Sequence, residues 1–314
     1  MPTLLQADGW DVRAFSRRDS AGLAGFANDL RRSDLIYVWG GRVSLGKFLS
    51  AARLLNKKKL VMLWAGSDVF YAREQTAAGK MDPWIREKIH WAVSPWIAEE
   101  VRALGLPCEH VQVSFAHPVA KPAPLPGKFS VLVYIPGVTK GNLYGWDRVL
   151  EVAKRMRSIE FVVVGIEDDI FPVAPSNVKF HGRIADLTGF FQRASAVWRP
   201  VRHDGLSFMV LEALAHGRHV VYTYPFPACR HAPDNDSACA EIQRLAEAHA
   251  AGTLELNTEG MRLIASEYRP DKVRAEILGR WQRILEEPAS TQSLLIPAPQ
   301  VSSEHASFRE IAGK

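Results

Sequence analysis

Two acidic residues, Asp204 and Glu212, stand eight positions apart in the most informative stretch of the sequence. Gly205 follows the first acid at once, and the residues from Ser207 to Gly217 resemble a helix with a suitable cap at each end. If most of this interval is helical, the two carboxylates lie roughly 10–12 Å apart. That separation is long enough for the two carboxylates to contact different parts of one extended ligand, such as a sugar and a ribose.

The start of this helix is a candidate site for a diphosphate. Gly205 permits close backbone approach, and the N–H groups of Gly205, Leu206 and Ser207 would lie at the positive end of the helix dipole. Glu212 falls inside an otherwise apolar helix, where a carboxylate is costly unless it is paired or used. Three apolar side chains of the helix are expected to face the core: Phe208, Leu211 and Leu214.

A purely structural interpretation of the same spacing stays open. Asp204 could simply cap the helix, and Glu212 could pair with a buried arginine. The spacing of the two acids does not decide between these interpretations.

The segment resembles the signature of the retaining family-four glycosyltransferases of the GT-B fold. That signature is an acid, a glycine-rich turn and then Leu-Glu-Ala, with seven residues between the two acids. Here Asp204 stands at the first acid and Glu212 at the second. The resemblance runs from about residue 30 to residue 287. Three weaker matches follow the family's order: the acceptor-side loop Gly66-Ser67-Asp68, the segment from Ala92 to Gly105, and the strand from Asn177 to Arg183, which is similar to the strand before the donor helix.

The resemblance implies roles for these residues. Glu212 would bind the ribose, and Asp204 with the N–H groups of Gly205 to Ser207 would hold the donor sugar and phosphate. Asp204 is therefore the predicted catalytic residue. Cations and the helix dipole, rather than a metal, would stabilise the leaving diphosphate. The co-substrate would be a nucleotide-diphosphate sugar, with no further cofactor, and the acceptor a glycan or a lipid-linked hydroxyl.

The sequence departs from the family at the expected phosphate cations. The strand that ends at Gly137 lacks the arginine that usually follows, and two alignments of the next Lys-Gly compete. One uses Lys140-Gly141, and the other uses Tyr144-Gly145 and so puts tyrosine at the lysine position. We favour Lys140 as the phosphate cation, with Arg183 as the other candidate; a solvated loop lysine is the structural alternative. The first acid is also Asp instead of the usual Glu, and Ala65 replaces a frequent His.

Alternating apolar runs and amphipathic stretches predict an α/β fold with parallel sheets buried on both faces. We expect two Rossmann-like domains that face each other across a cleft. The first domain, residues 1–120, would present the acceptor, and the second, residues 121–287, would bind the nucleotide sugar. Residues 288–314 are predicted to be a loose tail. A proline-rich segment from His117 to Gly127 reads as the linker, and the final helix, around Asp271–Leu285, is expected to return to the first domain.

The N-terminus reads as an incomplete first domain. Residues 2–7 resemble the end of a helix, and Gly9–Phe15 resembles a turn and the second strand. We expect the native product to start upstream, with the missing strand in the preceding sequence, or the chain to be a weakened variant.

Composition excludes several classes of protein. The formal charge of +5 suits phosphorylated ligands but is well short of a nucleic-acid-binding signature. The three cysteines, Cys108, Cys229 and Cys239, are widely spaced, which indicates free thiols in a reducing compartment. No run of about 18 apolar residues and no typical signal peptide occur. These features predict a cytoplasmic location.

Two further motifs allow a second interpretation. Asp234-Asn-Asp236 matches an Asp-x-Asp metal motif, but its setting favours a turn and a helix cap, and the histidines lack ligand spacing, so we predict no metal. The lysines at 57–59 and the aromatic and basic stretch Lys80–Trp96 could contact a membrane surface peripherally. A solvated turn and a core helix with a strand are the plainer interpretations.

The sequence thus predicts a glycosyltransferase that moves a hexose to a hydroxyl acceptor with retention and without a metal. Two alternatives stay open. One is a GT-B sugar-nucleotide epimerase, and the other is a non-catalytic partner subunit that binds nucleotide without turnover.

Overall fold

A computed structural model of the protein describes residues 9–14, 23–57, 59–137, 140–166 and 174–287. Within these residues the chain alternates strands and helices and forms two separate parallel sheets. The tail beyond residue 287 and the segment 2–7 lie outside the described residues.

The N-terminal sheet has four strands in the order β1-β2-β3-β4, all paired in parallel. Helices connect successive strands, as parallel pairing requires. The elements of this half are α1 (Leu23–Arg32), β1 (Ile36–Trp39), α2 (Lys47–Leu54), β2 (Leu60–Trp64), α3 (Asp68–Ala77), α4 (Pro83–Arg86), β3 (Ile89–Ala92), α5 (Pro95–Ala103) and β4 (Cys108–His110).

The C-terminal sheet has six parallel strands in the order β10-β9-β8-β5-β6-β7. The strand order reverses between β5 and β8, and the loops after these two strands therefore diverge to open a crevice. The elements are β5 (Ser130–Tyr134), α6 (Trp146–Arg155), β6 (Glu160–Val164), β7 (Val178–Phe180), α7 (Thr188–Arg193), β8 (Ala196–Arg199), α8 (Phe208–Ala215), β9 (His219–Tyr222), β10 (Arg230–His231), α9 (Asn235–Ala250), α10 (Thr258–Glu267) and α11 (Pro270–Glu286).

The central strands are buried on both faces, as their unbroken apolar runs predict. Every residue of β2 is buried, and β5 is buried except at Tyr134. The two α/β sheets confirm the predicted fold class, while the division at residue 120 stays a prediction. The segment from Asn177 to Arg183 holds edge strand β7, so its assignment as the strand before the predicted donor helix is wrong; the strand that precedes this helix, α8, is β8.

The last helix returns to the N-terminal half, as expected. Val273, Ile277, Trp281 and Ile284 of α11 are buried in a cluster with the outer faces of β2 and β3. Trp281 also lies 5.7 Å from the ring of Trp10. Residues 9–14 form a single β-bridge at Trp10 in place of the predicted strand. Helix α11 therefore ties the end of the C-terminal half to the N-terminal sheet.

A fully buried arginine anchors the linker between the two sheets. Arg218, at the start of β9, donates to the carbonyl oxygens of Pro124 at 3.2 Å and Ala194 at 3.3 Å, and also to that of Ala123. Burial lowers the pKa of this guanidinium. Arg218 therefore replaces the missing backbone partners of a proline-rich segment.

Replacing Arg218 with methionine is expected to destabilise the protein. The change removes an unpaired buried charge, which is favourable, but it leaves buried carbonyl groups without a donor. The second effect should dominate, at about 1–3 kcal/mol. Chemical unfolding followed by circular dichroism measures this loss. Arg244→Met, which removes an exposed ion pair with Glu241, is the matched control and should change little. Equal stability of the two variants would contradict the anchoring role.

Candidate functional site

The loop between β8 and α8 forms the centre of the site. Helix α8 begins at Phe208, and Ser207 occupies the N-cap position with an extended backbone, although its side chain makes no capping hydrogen bond. At the other end Gly217, with φ of 68°, allows its N–H and that of Arg218 to bond back to the carbonyls of Leu214 and Ala213, each at 2.9 Å. The predicted helix boundaries are therefore confirmed, but the serine side-chain cap is not.

The expected orientation of Phe208 is wrong. Its side chain is 44% exposed, whereas Leu211 and Leu214 are fully buried. Phe208 is the first helical residue and lies at the edge of the domain, so its ring contacts Phe115 at a centroid distance of 5.8 Å without entering the core.

A cavity of about 310 Å³ lies between the two halves of the chain, beside the start of α8. It adjoins the carboxyl ends of β1, β2, β5 and β8, where open parallel sheets bind ligands. The N-terminal half contributes Trp39, Ala65, Val93 and Ser114, and the C-terminal half contributes Tyr134, Tyr144, Arg199, Asp204, Gly205, Leu206, Ser207, Phe208 and Met209. Polar groups and exposed aromatic rings thus border one space, which suits a ligand with hydroxyl groups and apolar faces.

Asp204 lines this cavity and is held on several sides. Its Oδ2 accepts hydrogen bonds from Arg199 Nε at 2.9 Å and from the Tyr222 hydroxyl at 3.4 Å. Its backbone carbonyl accepts from Trp96 Nε1 at 2.8 Å, and its backbone N–H donates to the Tyr224 hydroxyl at 3.4 Å. The carboxylate therefore does not cap α8, contrary to the structural interpretation, and it is fixed in place at the cavity wall.

Gly205 permits a close backbone approach, as predicted, but the partner is the other half of the protein. A Cβ on Gly205 would lie 2.2 Å from the carbonyl oxygen of Ala65. A Cβ on Gly66, which has φ of 136°, would lie 3.0 Å from the Gly205 nitrogen. Close to this contact, the rings of Trp96 and Tyr224 stack at 4.6 Å. The turn that precedes α8 is thus in close backbone contact with the N-terminal half.

The environment of Glu212 also departs from the structural interpretation, which pairs this residue with a buried arginine. Although six of the eight residues of α8 are buried, Glu212 is exposed, and its carboxylate makes no ion pair within the described part of the chain. Partial burial of the carboxylate and the nearby charge of Asp186 raise its pKa. Glu212 therefore has no structural partner there that would account for it. It does not line the cavity itself, and its role at a ribose stays a prediction.

The two candidate phosphate cations lie on loops of the C-terminal half and outside the cavity lining. Lys140 and Arg183 are both exposed, and neither makes an ion pair with a described residue. Gly137 has φ of 133° with open space around the position of a Cβ. Tyr144, the residue of the competing alignment, does line the cavity, and Gly145 precedes the first residue of α6.

The predicted acceptor-side loop has a structural task. The Asp68 carboxylate accepts the backbone N–H groups of Gly41 at 2.6 Å, Ala65 at 3.0 Å and Gly66 at 2.8 Å. Ser67 is exposed but, like Gly66 and Asp68, it does not line the cavity; Ala65 does. Asp68 thus holds the loop that meets Gly205, and a direct acceptor contact by this loop stays a prediction.

Sequence reasoning missed several cavity residues. No sequence motif singles out Arg199 or Trp39, although both line the cavity. Both end a strand at its carboxyl terminus, which is the one signal that could have singled them out. Trp39 is 49% exposed, which is unusual for a tryptophan next to a buried strand.

The motif Asp234-Asn-Asp236 is a helix cap, as the sequence favoured. Asp234 accepts the N–H of Ser237 at 2.8 Å and begins α9. Among the residues that the structure describes, no group of three or more His, Cys, Asp or Glu side chains is arranged to hold a metal. The three cysteines are unpaired, as predicted.

The membrane-facing interpretation of the basic residues finds little support in their contacts. Lys57 Nζ donates to the carbonyls of Arg31 and Ser33, and Lys59 to that of Leu285. Lys88 and Trp91 are buried. None of the helices that the structure describes is long and apolar enough to span a membrane. Peripheral contact at the cytoplasmic membrane face stays a prediction.

Comparison with known proteins defines the class. Residues 130–258, which include β5 to β10 and the whole of α8, match the family described as group 1 glycosyl transferases. The resemblance to this family that the sequence indicates is therefore confirmed for residues 130–258. No curated protein matches the chain.

Solved structures with the same architecture extend the comparison to both halves. Sucrose-phosphate synthase from Thermosynechococcus elongatus is similar over 88% of this chain and 82% of its own, with a TM-score of 0.59 and 14% identity. Anabaena HepE in complex with UDP-glucose is similar over 83% of this chain and 81% of its own, with a TM-score of 0.58 and 13% identity. The fold is GT-B, as predicted.

A third similar structure is longer than this chain. TarM from S. aureus, in complex with fondaparinux, alpha-GlcNAc-glycerol and UDP, is similar over 76% of this chain, with a TM-score of 0.55 and 11% identity. The match covers 53% of that TarM chain, so the present chain spans about half its length.

Proposed function

We propose that this protein transfers a hexose from a nucleoside-diphosphate sugar to a hydroxyl of an acceptor, with retention of the anomeric configuration and without a metal. One observation supports this most. A single cavity is bordered by a fixed carboxylate, Asp204, and by the N-terminus of α8. Further along the same helix lies the carboxylate of Glu212, which has no ion-pair partner among the described residues. This arrangement suits the sugar, the diphosphate and the ribose in that order.

The donor would bind along the turn and the helix. Asp204 accepts hydrogen bonds from sugar hydroxyls, and the N–H groups of Gly205, Leu206 and Ser207 face the diphosphate at the positive end of the dipole. Glu212 accepts the ribose hydroxyls. Lys140 and Arg183, on the flanking loops beyond Gly137 and β7, supply positive charge to the phosphates.

Catalysis would rest on stabilising the leaving group. The bond between the anomeric carbon and the phosphate oxygen breaks, a bond forms between that carbon and the acceptor oxygen, and the acceptor proton passes to the leaving phosphate. Asp204 is the only carboxylate among the described residues that line the cavity, and Arg199 and Tyr222 hold it. Because the leaving phosphate takes the acceptor proton, this retaining step needs no second carboxylate as base.

The acceptor would enter from the N-terminal half, near Ala65 and the loop Gly66-Ser67-Asp68. Trp39 and Phe208, both exposed, border the cavity from opposite domains. Aromatic faces of this kind pack against the apolar face of a sugar ring, while hydroxyls reach the polar wall. A glycan or a lipid-linked saccharide is therefore the proposed acceptor.

Release of nucleoside diphosphate from a panel of nucleotide sugars tests the proposal. UDP-glucose and UDP-N-acetylglucosamine come first, because HepE was solved with UDP-glucose and the pneumococcal enzyme GtfA with UDP and GlcNAc. We expect turnover with at least one donor. Binding without any turnover would indicate a non-catalytic partner subunit, and an epimerised nucleotide sugar as product would indicate an epimerase.

Transferase activity is expected to survive chelation by EDTA. The dipole of α8 and the nearby cations would balance the charge of the diphosphate. Nucleotide release before and after dialysis against EDTA measures this. Activity that disappears and returns only with Mn²⁺ or Mg²⁺ would contradict the metal-free mechanism.

A further inference from the structure

Every side-chain hydrogen bond that the described residues make to the Asp204 carboxylate ends on the same oxygen. Arg199 reaches Oδ2 with both Nε and Nη2, each at 2.9 Å. The Tyr222 hydroxyl reaches the same oxygen at 3.4 Å and the carbonyl of Gly205 at 3.3 Å. One oxygen of the carboxylate is thus held by the protein, and Oδ1 is left to accept a bond from a ligand.

Arg199 is itself held rigidly. It ends β8, it is buried, and its guanidinium lies 4.6 Å from the centre of the Tyr144 ring. Burial opposes its charge, but Asp204 and the neighbouring tyrosines outweigh that effect and raise its pKa. The guanidinium therefore keeps its charge and gives Asp204 a fixed partner at any ordinary pH.

A buried ion pair of this kind adds little net stability, because desolvation of both charges offsets their attraction. The rest of β8, from Ala196 to Trp198, is apolar and buried. The pair lies at the one end of the strand that borders the cavity. The location of this ion pair therefore indicates a functional role at the cavity and not a role in stabilising the core.

We propose that Arg199 is a positioning residue that presents the free oxygen of Asp204 to a hydroxyl of the donor sugar. This inference rests on the proposed glycosyltransferase function. The Asp204 side chain is one methylene shorter than a glutamate, which keeps its carboxylate close to the strand end where Arg199 lies. Arg199 acts through Asp204 and does not itself contact the sugar.

A double-mutant cycle tests the proposal with the full-length protein and the best donor from the panel. Arg199→Met alone should lower kcat about 10- to 100-fold, while the KM for the donor stays within about threefold, because the interaction lost is one made by an oriented carboxylate. Arg199→Lys should retain part of the activity, since a lysine keeps the charge but loses the two-point contact. In an Asp204→Asn background, Arg199→Met should cause no further loss of kcat.

Several outcomes would overturn the proposal. If the losses from Arg199→Met and Asp204→Asn multiply, Arg199 acts independently of Asp204. If Arg199→Met mainly raises the donor KM, the arginine binds the donor directly. If the Arg199→Met variant does not fold, the cycle is repeated with Arg199→Lys. A loss of kcat from Arg199→Lys that is equally large in the Asp204→Asn background would contradict the positioning role.

A more exposed ion pair, between the same loop and helix α6, provides the control. Arg202 donates to Asp147 Oδ1 at 2.8 Å, outside the cavity. The cycle of Arg202→Met and Asp147→Asn should leave kcat unchanged. If the unmodified protein turns over none of the donors, the proposed glycosyltransferase function is refuted. That result is distinct from failure of the positioning role of Arg199, which requires an active protein.

Discussion

Nucleotide binding is expected to weaken roughly 10- to 150-fold when Glu212 is replaced by alanine, because a hydrogen bond from a ribose hydroxyl to a carboxylate contributes about 1.5–3 kcal/mol. The fold should stay intact, since Glu212 is exposed and its carboxylate has no ion-pair partner among the described residues. Calorimetric titration with UDP measures the affinity. The control is Glu247→Ala, which removes an exposed helical glutamate whose side chain accepts a hydrogen bond from Gln243.

The Glu212 carboxylate also predicts that nucleotide affinity depends on pH. Partial desolvation of the carboxylate and the nearby charge of Asp186 raise the pKa of Glu212, so the free carboxylate becomes protonated at a higher pH than an ordinary glutamate does. Nucleotide affinity should therefore fall as the pH drops through this raised pKa. Glu212→Gln should bind weakly at all pH values and lose that dependence. Unchanged affinity in Glu212→Ala would exclude the ribose role.

Asp204→Asn is expected to lower turnover about 10- to 150-fold and to change nucleotide affinity much less. Asp204 borders the cavity at the place proposed for the sugar, so the charge-assisted bond that is lost belongs to the sugar and not to the ribose. Initial rates of nucleotide release, with titration by UDP alone, separate the two effects.

The variant also leaves Arg199 without its counter-charge, which should lower stability by a few kcal/mol. Rates are therefore measured well below the unfolding temperature, and Asp147→Asn serves as the control for loss of an exposed carboxylate. A raised donor KM with full turnover would favour a structural role for Asp204.

Local sequence patterns predicted the framework well where burial dominates. The spans of β2 and β9 coincide with the apolar runs Leu60–Trp64 and His219–Tyr222, because strands buried on both faces leave little freedom of register. The cap predicted at Asp234 is also found, because Asp234 and Ser237 bond reciprocally where α9 begins at Asn235.

The sequence predicted the site residues that are contiguous in the chain, but not the contacts between residues that are distant in sequence. The acids, the turn and the helix could be identified because they are contiguous. The contact of Asp204 with Trp96 joins residues 108 positions apart, and no local pattern indicates it. The glycine at position 205 predicted a close backbone approach, but the sequence does not identify the partner, which is Ala65.

Amide hydrogen exchange with and without UDP-glucose, or the best donor of the panel, tests the location of the donor site most directly. The N–H groups at the start of α8 have no partner within the helix, so they should exchange readily in the free protein. Donor binding should slow exchange across residues 205–212, and Glu212→Ala should weaken that protection at a fixed donor concentration. Donor binding that leaves this segment unprotected, with slower exchange elsewhere in the chain, would contradict the assignment of the donor site.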